Sequence, residues 1–427
     1  MTLAADLSYS QACAYIEDAA KLGSKPGFER IEGLCDRLGN PQDDLRFIHI
    51  AGTNGKGSTS CYIASVLAKS GIRVGMYYSP ALTGIRDHFR INGELIGEAD
   101  YALCVTKVAT ANDKMIAETG EGATQFELET AVAFTYFKDK CCDVVVLECG
   151  MGGRDDATNI VTGKICCVIT SISFDHMQYL GNTLPEIASV KAGIITSDCP
   201  VITTAYPDEV ADVIRNRCAV TGSVLYTAGS KDRKTAAEYV PDIMGTYQEE
   251  NAGLALCAVS VIRELDLIPG IRLDDDTVKC GLNDAKWPFR FERISTDPLV
   301  IVDGAHNPDA AVKLRDTIGK TLGGYRIIMI IGMYSDKDHD GVVSVLSPVV
   351  SAFITVPTDN GARSFSSGDM AVVAKKYCDT VICCATPEEA YDTAVSRYND
   401  DPGKTAIIAC GSLSYLDKMK RAVNGKG

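Results

Sequence analysis

The chain has 427 residues, more than one hydrophobic core usually serves, so we expect two or three domains. Its hydrophobic content of 46% and charged content of 23% are those of an ordinary globular protein, and no apolar run approaches the ~20 residues of a membrane span. The net charge of −14 argues against broad binding to nucleic acid, which requires a basic face.

The cysteines are predicted to be thiols rather than a disulfide framework. There are 17 of them, an odd number, and Met1–Ser10 lacks the basic stretch and apolar core of a secretion signal. Pairs such as Cys141-Cys142 and Cys166-Cys167 sit in apolar runs, which is typical of small buried side chains. No C-x-x-C pair occurs, so a structural zinc site has no support. We therefore expect a cytoplasmic protein in a reducing compartment.

The first part of the chain alternates helical patterns with short apolar strands. Apolar residues at three- and four-residue spacing indicate helices, and Asn-Gly between β-compatible stretches indicates a hairpin turn. In chain order we predict a helical region over Leu7–Leu38, a strand over Phe47–Ala51, a helix over Cys61–Lys69, a strand over Val74–Tyr78, a hairpin turn at Asn92-Gly93, and helices over Ala99–Glu118 and Phe126–Lys138.

Strands then recur through the rest of the chain. Asp143–Glu148 and Lys164–Ser171 are almost continuously apolar, as in parallel strands buried on both faces. Thr183 and Glu186 form a capping box at a helix start. Further strands are predicted over Pro200–Thr204, Ser223–Tyr226, Leu299–Val302, Tyr325–Ile331, Ala352–Val356, Val381–Cys384 and Ala406–Cys410, and further helices over Tyr247–Leu265, Ala310–Leu322, Met370–Tyr377 and Glu388–Tyr398.

This alternation predicts an α/β protein with parallel sheets. The pattern changes around Leu282–Ile294, where Trp287-Pro288 precedes a charged run. We therefore place a domain boundary near Ser295. The prediction is a large N-terminal α/β domain over residues 1–295 and a smaller C-terminal α/β domain over residues 296–427.

The stretch from Gly52 to Ser58 has the character of a phosphate-binding loop. It follows a predicted strand and precedes a helix, so backbone N–H groups and a helix N-terminus would converge on an anion. Lys56 would add a point charge at the phosphates. The loop is two residues shorter than the standard pattern, and Gly57 stands where a Mg²⁺-binding hydroxyl usually follows the lysine. The alternative is a glycine turn with an exposed lysine.

Three further residues follow predicted parallel strands and so share the edge where ligands collect. Ser79 follows the second strand, Glu148 ends the third, and His176 comes after the fourth. A carboxylate beside a nucleotide is a natural Mg²⁺ ligand, although Glu148 could equally be leaving the sheet for solvent. A lone histidine is more often a structural hydrogen bonder than a magnesium ligand, so the residues alone favour the structural role for His176.

Lys191, Asp303 and His306 are further candidate functional residues. Lys191 lies on the helix opened by Thr183, where a lone lysine is usually solvated. Asp303 and His306 occupy a turn after a strand, in Asp303-Gly-Ala-His-Asn-Pro308. Polar residues on such a turn are often functional, although capping by Asp303 or Asn307 is an alternative.

Taken together, these segments resemble the folylpolyglutamate synthase/dihydrofolate synthase family, relatives of the Mur ligases. The order of the motifs along the chain is far more specific than any one of them. The resemblance is carried by His49-Ile-Ala-Gly-Thr-Asn-Gly-Lys-Gly-Ser58, Tyr78-Ser79-Pro80, Gln125-Phe126-Glu127, Glu148–Asn159, Phe174-Asp175-His176, Lys191–Ile194, Gln248–Asn251, Trp287-Pro288-Phe289-Arg290, Asp303–Pro308, Gly332 and Ser335–Asp338.

The resemblance implies a P-loop Mur-ligase-like N-terminal domain and a Rossmann-like C-terminal domain. It also implies functional residues, with Lys191 as a lysine that the family carbamylates. The implied ATP-binding residues are Gly52, Thr53, Asn54, Gly55, Lys56, Gly57, Ser58, Asn251, Arg290 and Asp303. The implied catalytic residues are Lys56, Lys191, Asp303 and His306, and the implied magnesium ligands are Ser79, Glu148 and His176.

Three positions depart from the family pattern and bear on the substrate end. Ala81 replaces a histidine that often follows Ser-Pro, Val190 replaces the glutamate before the lysine, and Phe289 replaces the glycine of the Trp-Pro-Gly-Arg segment. None of these changes removes an implied metal ligand.

The implied function is ATP-dependent ligation of L-glutamate to a folate, to dihydropteroate, or to both. The reaction would pass through an acyl phosphate and release ADP and phosphate, with Mg²⁺ as the cofactor. The expected partners are these small molecules, with no nucleic acid and no membrane, and we expect a monomer. The alternatives are a Mur-type ligase acting on another substrate and a non-catalytic ATP-binding protein.

Overall fold

The computed structural model describes residues 6–23, 25, 27–240, 245–358, 363–399 and 402–425. The chain forms two compact units, one of Met1–Pro241 and Glu249–Lys286, the other of Asp242–Gln248 and Trp287–Gly427. The predicted boundary near Ser295 falls inside a strand of the second unit, whereas the units divide after Lys286. Within the described ranges, no helix is both long and apolar enough to cross a membrane.

The first unit is built on a mixed sheet that is parallel at its centre. Among the described residues the sheet has eight strands in the order β4-β3-β2-β5-β1-β6-β7-β8, and only the pairings of β3 with β2 and with β4 are antiparallel. The strands are β1 Phe47–Ala51, β2 Val74–Tyr77, β3 Phe89–Ile91, β4 Glu94–Leu95, β5 Val144–Glu148, β6 Lys164–Ile169, β7 Val201–Thr203 and β8 Leu225–Thr227.

Helices accompany this sheet. They are α1 Tyr9–Asp18, α2 Glu29–Arg37, α3 Lys56–Lys69, α4 Glu98–Thr119, α5 Gln125–Asp139, α6 Met177–Leu180, α7 Leu184–Lys191, α8 Asp208–Thr221, α9 Ser230–Tyr239, α10 Thr246–Glu264 and α11 Asp275–Asp284. The division between the units falls within the first turn of α10. The capping box predicted at Thr183 is present and starts α7.

Apolar side chains fix the central strands between helical layers. Every residue of β1 is buried, as expected for a strand covered on both faces. Phe47 and Leu147 join a core shared with α1, α2, α4 and α5. Ala51 and Ile169 join a second core that includes residues of α7 and α8. The strands are therefore held firmly, and the segments leaving their carboxyl ends have fixed starting points.

The second unit has its own parallel-dominated sheet. In the part of the chain that the structure describes, the strand order is β13-β12-β11-β14-β10-β9, with β9 antiparallel to β10. The strands are β9 Glu292–Thr296, β10 Leu299–Val302, β11 Arg326–Ile331, β12 Ala352–Thr355, β13 Val381–Cys383 and β14 Thr405–Cys410, and the helices are α12 Pro308–Thr321, α13 His339–Leu346, α14 Ser367–Ala374, α15 Pro387–Tyr398 and α16 Leu413–Asn424.

The predicted α/β class with parallel sheets is confirmed, and all 17 cysteines are free thiols. Two local differences bear on the site. Helix α3 begins at Lys56, five residues before the predicted start at Cys61, so the loop runs directly into the helix. Strand β9 was not predicted because Glu292–Thr296 is charged and only partly buried, unlike the apolar central strands.

Candidate active site

The loop after β1 places a helix N-terminus at the carboxyl edge of the first sheet. Gly55 is the N-cap of α3, with a positive φ of 88°, and no side chain in the described part of the chain caps the helix. Its first backbone N–H groups are therefore available to an anion, and the helix dipole favours negative charge there. The hydroxyl of Ser58 is buried in this first turn and has no hydrogen-bond partner among the described residues.

Two glycines of the loop are required by close approach of other segments. A Cβ on Gly52, whose φ is 152°, would lie 1.8 Å from Oγ1 of Thr170. A Cβ on Gly55 would lie 2.3 Å from Oδ1 of Asn251 in α10. The structure thus brings Asn251, predicted as an ATP-binding residue, against the phosphate loop within the first unit.

Hydroxyl residues after β6 hold the loop in place. Thr53 and Ser173 are joined by two hydrogen bonds. The Thr53 hydroxyl donates to the Ser173 carbonyl at 3.1 Å and accepts from the Ser173 amide at 3.1 Å. The amide of Asn54 donates to the Ser171 hydroxyl at 3.0 Å, and the Thr170 hydroxyl donates to the Asn54 carbonyl at 2.8 Å. Sequence analysis missed these anchors, although Thr170-Ser171-Ile172-Ser173 is conspicuously rich in hydroxyls for a segment leaving an apolar strand.

Replacing Gly52 by alanine should disrupt the loop. The new Cβ would collide with Thr170, and the positive φ would add about 1–3 kcal/mol of backbone strain. We expect loss of measurable ATP binding in calorimetry, together with a lower melting temperature. Gly71→Ala is the matched control, because Gly71 has a φ of 92° but no other atom within 4 Å of the position that the alanine methyl would occupy. Equal ATP affinity for the two variants would contradict the proposed role of the loop.

Lys56 lies at the centre of this edge. Its Nζ donates to the carbonyl oxygens of Gly52 and Thr53, both at 3.2 Å. The same Nζ is 3.9 Å from Oε1 of Glu148 at the end of β5. Glu148 is 4% exposed, so the alternative that this carboxylate leaves the sheet for solvent is wrong. Lys56 and Glu148, which were predicted as site residues from two different strand ends, therefore lie close together in the structure.

Lys191 is buried rather than solvated. It is 2% exposed, and its Nζ donates to the Gly52 carbonyl at 2.8 Å. Burial, helped by the nearby charge of Lys56, lowers the pKa of Lys191 to about 7. Because both lysines contact the same carbonyl oxygen, one neutral amine relieves the repulsion between them. The surface interpretation of Lys191 is therefore wrong, and an amine with a pKa of about 7 lies beside the phosphate loop.

The three predicted metal ligands share one edge of the sheet. Ser79 and Glu148 follow the adjacent strands β2 and β5, and His176 follows β6 on the other side of β1. His176 has a left-handed backbone, with φ of 49°, and its Nε2 is 3.9 Å from Oδ2 of Asp175. In the described part of the chain, no three His, Cys, Asp or Glu side chains form a metal-binding cluster.

Asp303 lies in the second unit and accepts hydrogen bonds from residues of that unit. It is 3% exposed, and its Oδ2 accepts hydrogen bonds from the Tyr247 hydroxyl and, at 2.8 Å, from the amide of Phe291. Its Oδ1 accepts from the amide of Ala305 at 2.8 Å. The carboxylate thus fixes the segment that carries Arg290.

Arg290 and His306 flank Gly304 in the same unit. A Cβ on Gly304 would lie 2.1 Å from a guanidinium nitrogen of Arg290, so the arginine side chain would have to move if Gly304 were replaced. Nδ1 of His306 is 2.9 Å from the Gly304 carbonyl, which can only accept, so that nitrogen carries the proton. Asn307 caps α12 by accepting from the amide of Ala310 at 2.9 Å, which confirms the capping alternative for Asn307.

The glycine-to-phenylalanine departure falls at a backbone position suited to glycine. Phe289 has a φ of 59° and its side chain is fully buried. Its amide donates to Oε2 of Glu292 at 3.0 Å, and Nζ of Lys420 lies 5.7 Å from its ring centroid. These contacts within the second unit offset the cost of a left-handed aromatic residue.

Comparison with protein families identifies two matching regions. Residues 50–257 match the Mur ligase middle domain, and residues 289–413 match the Mur ligase, glutamate ligase domain. The first match covers the phosphate loop, Ser79, Glu148, His176, Lys191 and Asn251. The second begins at Phe289 and covers Arg290, Asp303 and His306.

Full-length relatives extend these matches over nearly the whole chain. The dihydrofolate synthase/folylpolyglutamate synthase of Bacillus subtilis is 32% identical, covering 97% of this chain and 99% of the relative. The dihydrofolate synthetase of Saccharomyces cerevisiae is 34% identical, covering 93% and 98%. Among solved structures, the Mycobacterium tuberculosis folylpolyglutamate synthase complexed with ADP and AMPPCP superposes with a TM-score of 0.87 at 28% identity, covering 98% and 100%.

Proposed function

This chain belongs to the folylpolyglutamate synthase/dihydrofolate synthase family of Mur ligases, and from that premise we propose that it ligates L-glutamate to a folate or to dihydropteroate at the expense of ATP. One observation supports the proposal above all others. Lys56 lies at the open N-terminus of α3, between the phosphate loop and the buried carboxylate of Glu148.

The chemistry requires activation of a carboxylate. A carboxylate does not react with an amine at a useful rate because its leaving group would be oxide. Attack of a carboxylate oxygen on the γ-phosphorus of ATP forms an acyl phosphate and breaks the bond to ADP. Lys56 and the N–H groups of α3 would stabilise the negative charge on the transferring phosphoryl group.

The amine of glutamate then attacks the acyl carbon. A tetrahedral intermediate forms, the bond to the phosphate oxygen breaks, and inorganic phosphate leaves as the amide is completed. The attacking amine loses its proton in this step. The site must exclude water, which would otherwise hydrolyse the acyl phosphate. The predicted catalytic and nucleotide-binding roles of Arg290, Asp303 and His306 in this sequence of steps stay predictions.

The donor set at the sheet edge fits a magnesium ion. Mg²⁺ is usually held by one or two carboxylates together with substrate phosphates, and a buried Glu148 beside the phosphate loop matches that pattern. Ser79 would add a hydroxyl oxygen and His176 an imidazole. When bound, the ion would neutralise charge on the phosphate oxygens.

Lys191 is proposed to be carbamylated. Its neutral amine can add to CO₂, forming an N–C bond and releasing a proton, which converts a buried amine into an anionic carboxylate. The lowered pKa of about 7 and the contact with the phosphate loop support this modification. An anion there would compensate the charge of Lys56.

A substrate panel tests the proposal. Purified protein should form ADP over many turnovers only when ATP, Mg²⁺, L-glutamate and a suitable acceptor are all present, and mass spectrometry should show the acceptor gaining one glutamate. Dihydropteroate and a reduced folate monoglutamate, assayed in parallel, distinguish the two activities. A relative named folylpolyglutamate synthase is 33% identical to this chain and one named dihydrofolate synthetase is 34% identical, so sequence identity does not separate the two activities. No ADP formation with any folate or dihydropteroate would contradict the proposal.

The alternatives give different outcomes in the same panel. A Mur-type ligase of another substrate would bind ATP but ligate glutamate to none of these acceptors. A non-catalytic ATP-binding protein would bind ATP without glutamate-dependent turnover. The monomeric state and the cytoplasmic location stay predictions, and sedimentation of the purified protein tests the first.

A further inference from the structure

A buried polar network lies beside Glu148 and has no part in the chemistry above. Its members are His49 in β1, Cys149 directly after β5, and Asp156 and Thr158 further along the same segment. None of the four is more than 6% exposed. Burying polar groups costs free energy unless they are hydrogen-bonded. Among the described residues, the side-chain oxygens of Asp156 and Thr158 and the Nε2 of His49 have partners, whereas Nδ1 of His49 has none.

The direction of the hydrogen bonds follows from Asp156, which as a carboxylate can only accept. Its Oδ2 accepts from the amide of Met151 at 2.8 Å. Its Oδ1 accepts from the amide of Thr158 at 3.0 Å and from the Thr158 hydroxyl at 2.6 Å. Because that hydroxyl donates to Asp156, its oxygen is left to accept the Nε2–H of His49 at 2.9 Å.

The same histidine contacts the residue next to Glu148. Nε2 of His49 lies 3.1 Å from Sγ of Cys149. Complete burial lowers the pKa of His49 well below its usual value, so the ring is neutral and one nitrogen carries its proton. The network therefore links three points: the middle of β1, the end of β5 and the glycine-rich segment Gly150–Asn159.

The other side of the glycine-rich segment packs against the end of helix α7, where Lys191 lies. The amide of Arg154 donates to the carbonyl of Val190 at 2.9 Å. A Cβ on Gly153 would lie 2.9 Å from the carbonyl oxygen of Lys191, and a Cβ on Gly193 would lie 2.3 Å from Cβ of Arg154. The segment thus starts two residues after Glu148 and supports the backbone of Lys191.

We propose that Thr158 and Asp156 are positioning residues that fix the glycine-rich segment, and through it the relative placement of Glu148 and Lys191. The hydroxyl of Thr158 is the central link, because among the described residues it alone bonds to both Asp156 and His49. The effect on catalysis rests on the proposed function. The effect on the segment itself does not.

Thr158→Val tests this proposal, because valine keeps the shape of threonine and removes the hydroxyl. Thr158→Ser is the matched control, since it keeps the hydroxyl. We expect faster amide hydrogen exchange within Gly150–Asn159 in the valine variant but not in the serine variant. In the ADP assay, the valine variant should need about 10–100-fold more Mg²⁺ for half-maximal rate, as is usual when support of a metal-binding residue is lost. Its KM for glutamate should stay unchanged.

Asp156→Asn is a second variant. The amide nitrogen of asparagine cannot accept a hydrogen bond from the N–H of Met151. This variant should therefore also show faster amide hydrogen exchange within Gly150–Asn159. Unchanged exchange in both variants would overturn the proposal. So would faster exchange spread over the whole first unit, which would indicate general destabilisation. If the wild type forms no ADP, the proposed function fails, while the exchange measurements still decide whether the network fixes the segment.

Discussion

Lys56→Ala should abolish ligation while leaving the fold intact. The lysine supplies the positive charge at the N-terminus of α3, where the triphosphate is proposed to lie. Loss of one preorganised group that stabilises transition-state charge typically lowers kcat by about 10²–10³-fold, and we expect at least that here. The measurement is kcat for ADP formation at saturating ATP, acceptor and glutamate.

The fold should survive because the substitution adds no bulk and α3 is held by its buried face, which includes Ile63, Val66 and Leu67. Lys69→Ala is the matched control. Lys69 lies at the other end of the same helix, half-exposed and paired with Asp284, and an exposed ion pair contributes little to stability. That variant should retain full activity. Substantial turnover by Lys56→Ala would show that Lys56 is not a phosphate contact.

Lys191→Ala should also lose most of its activity, and short carboxylic acids should restore part of it. The substitution removes the proposed carbamate and leaves space in which acetate or formate could place a carboxylate. We expect a fall in kcat of about 10–100-fold, the range seen when groups supporting a metal site are removed. Rescue is measured as the gain in ADP formation with increasing acetate.

Lys191→Gln separates two roles of the side chain. Glutamine can still donate to the Gly52 carbonyl but cannot be carbamylated, and it fills the space that acetate needs. It should therefore lose as much activity as Lys191→Ala and resist rescue. Near wild-type turnover by the glutamine variant would refute the carbamate and leave Lys191 as a hydrogen-bond donor.

The carbamate should depend on pH in a defined direction. Only the neutral amine adds to CO₂, and with a pKa of about 7 the neutral fraction rises as pH rises through that value. At neutral pH this fraction exceeds that of an ordinary lysine on the order of a thousandfold. At constant dissolved ¹³CO₂, the ¹³C NMR signal of the carbamate should grow between about pH 6 and 8 and be absent from Lys191→Ala.

Much of the fold was accessible from sequence because the central strands are nearly pure apolar runs. Val144–Glu148 and Lys164–Ile169 are buried on both faces, and their composition alone indicates parallel strands. Once the parallel strands are assigned, the residues that directly follow them can be assigned to the edge of the sheet where the strands end. This is why the phosphate loop, Glu148 and the segment with His176 could be assigned to one edge.

The start of α3 was misplaced because glycine is a poor helix residue and Gly55 and Gly57 flank Lys56. In the structure the loop is held by Thr170, Ser171 and Ser173, so the helix can begin immediately after it. Such tertiary contacts override local propensity, and nothing in the local pattern reveals them.

The environment of Lys191 could not be derived for a similar reason. Its partner, the Gly52 carbonyl, is 139 residues away in sequence, and His49 and Thr158 are 109 residues apart. Helical periodicity indicates which face of α7 is buried, but it does not indicate which backbone group a buried amine will meet. The functional importance of Lys191 was inferred from the resemblance to a known family, and its lowered pKa was inferred from its burial in the structure.

Oxygen transfer from the acceptor to phosphate tests the central claim most directly. The acceptor, labelled with ¹⁸O in both oxygens of the reacting carboxylate, is incubated with ATP, Mg²⁺ and L-glutamate, and the released phosphate is analysed by mass spectrometry. If a carboxylate oxygen attacks the γ-phosphorus and the amine then displaces phosphate, each ligation delivers one ¹⁸O to phosphate. Ligated product accompanied by unlabelled phosphate would contradict the acyl-phosphate route, and the absence of ligated product would contradict the function itself.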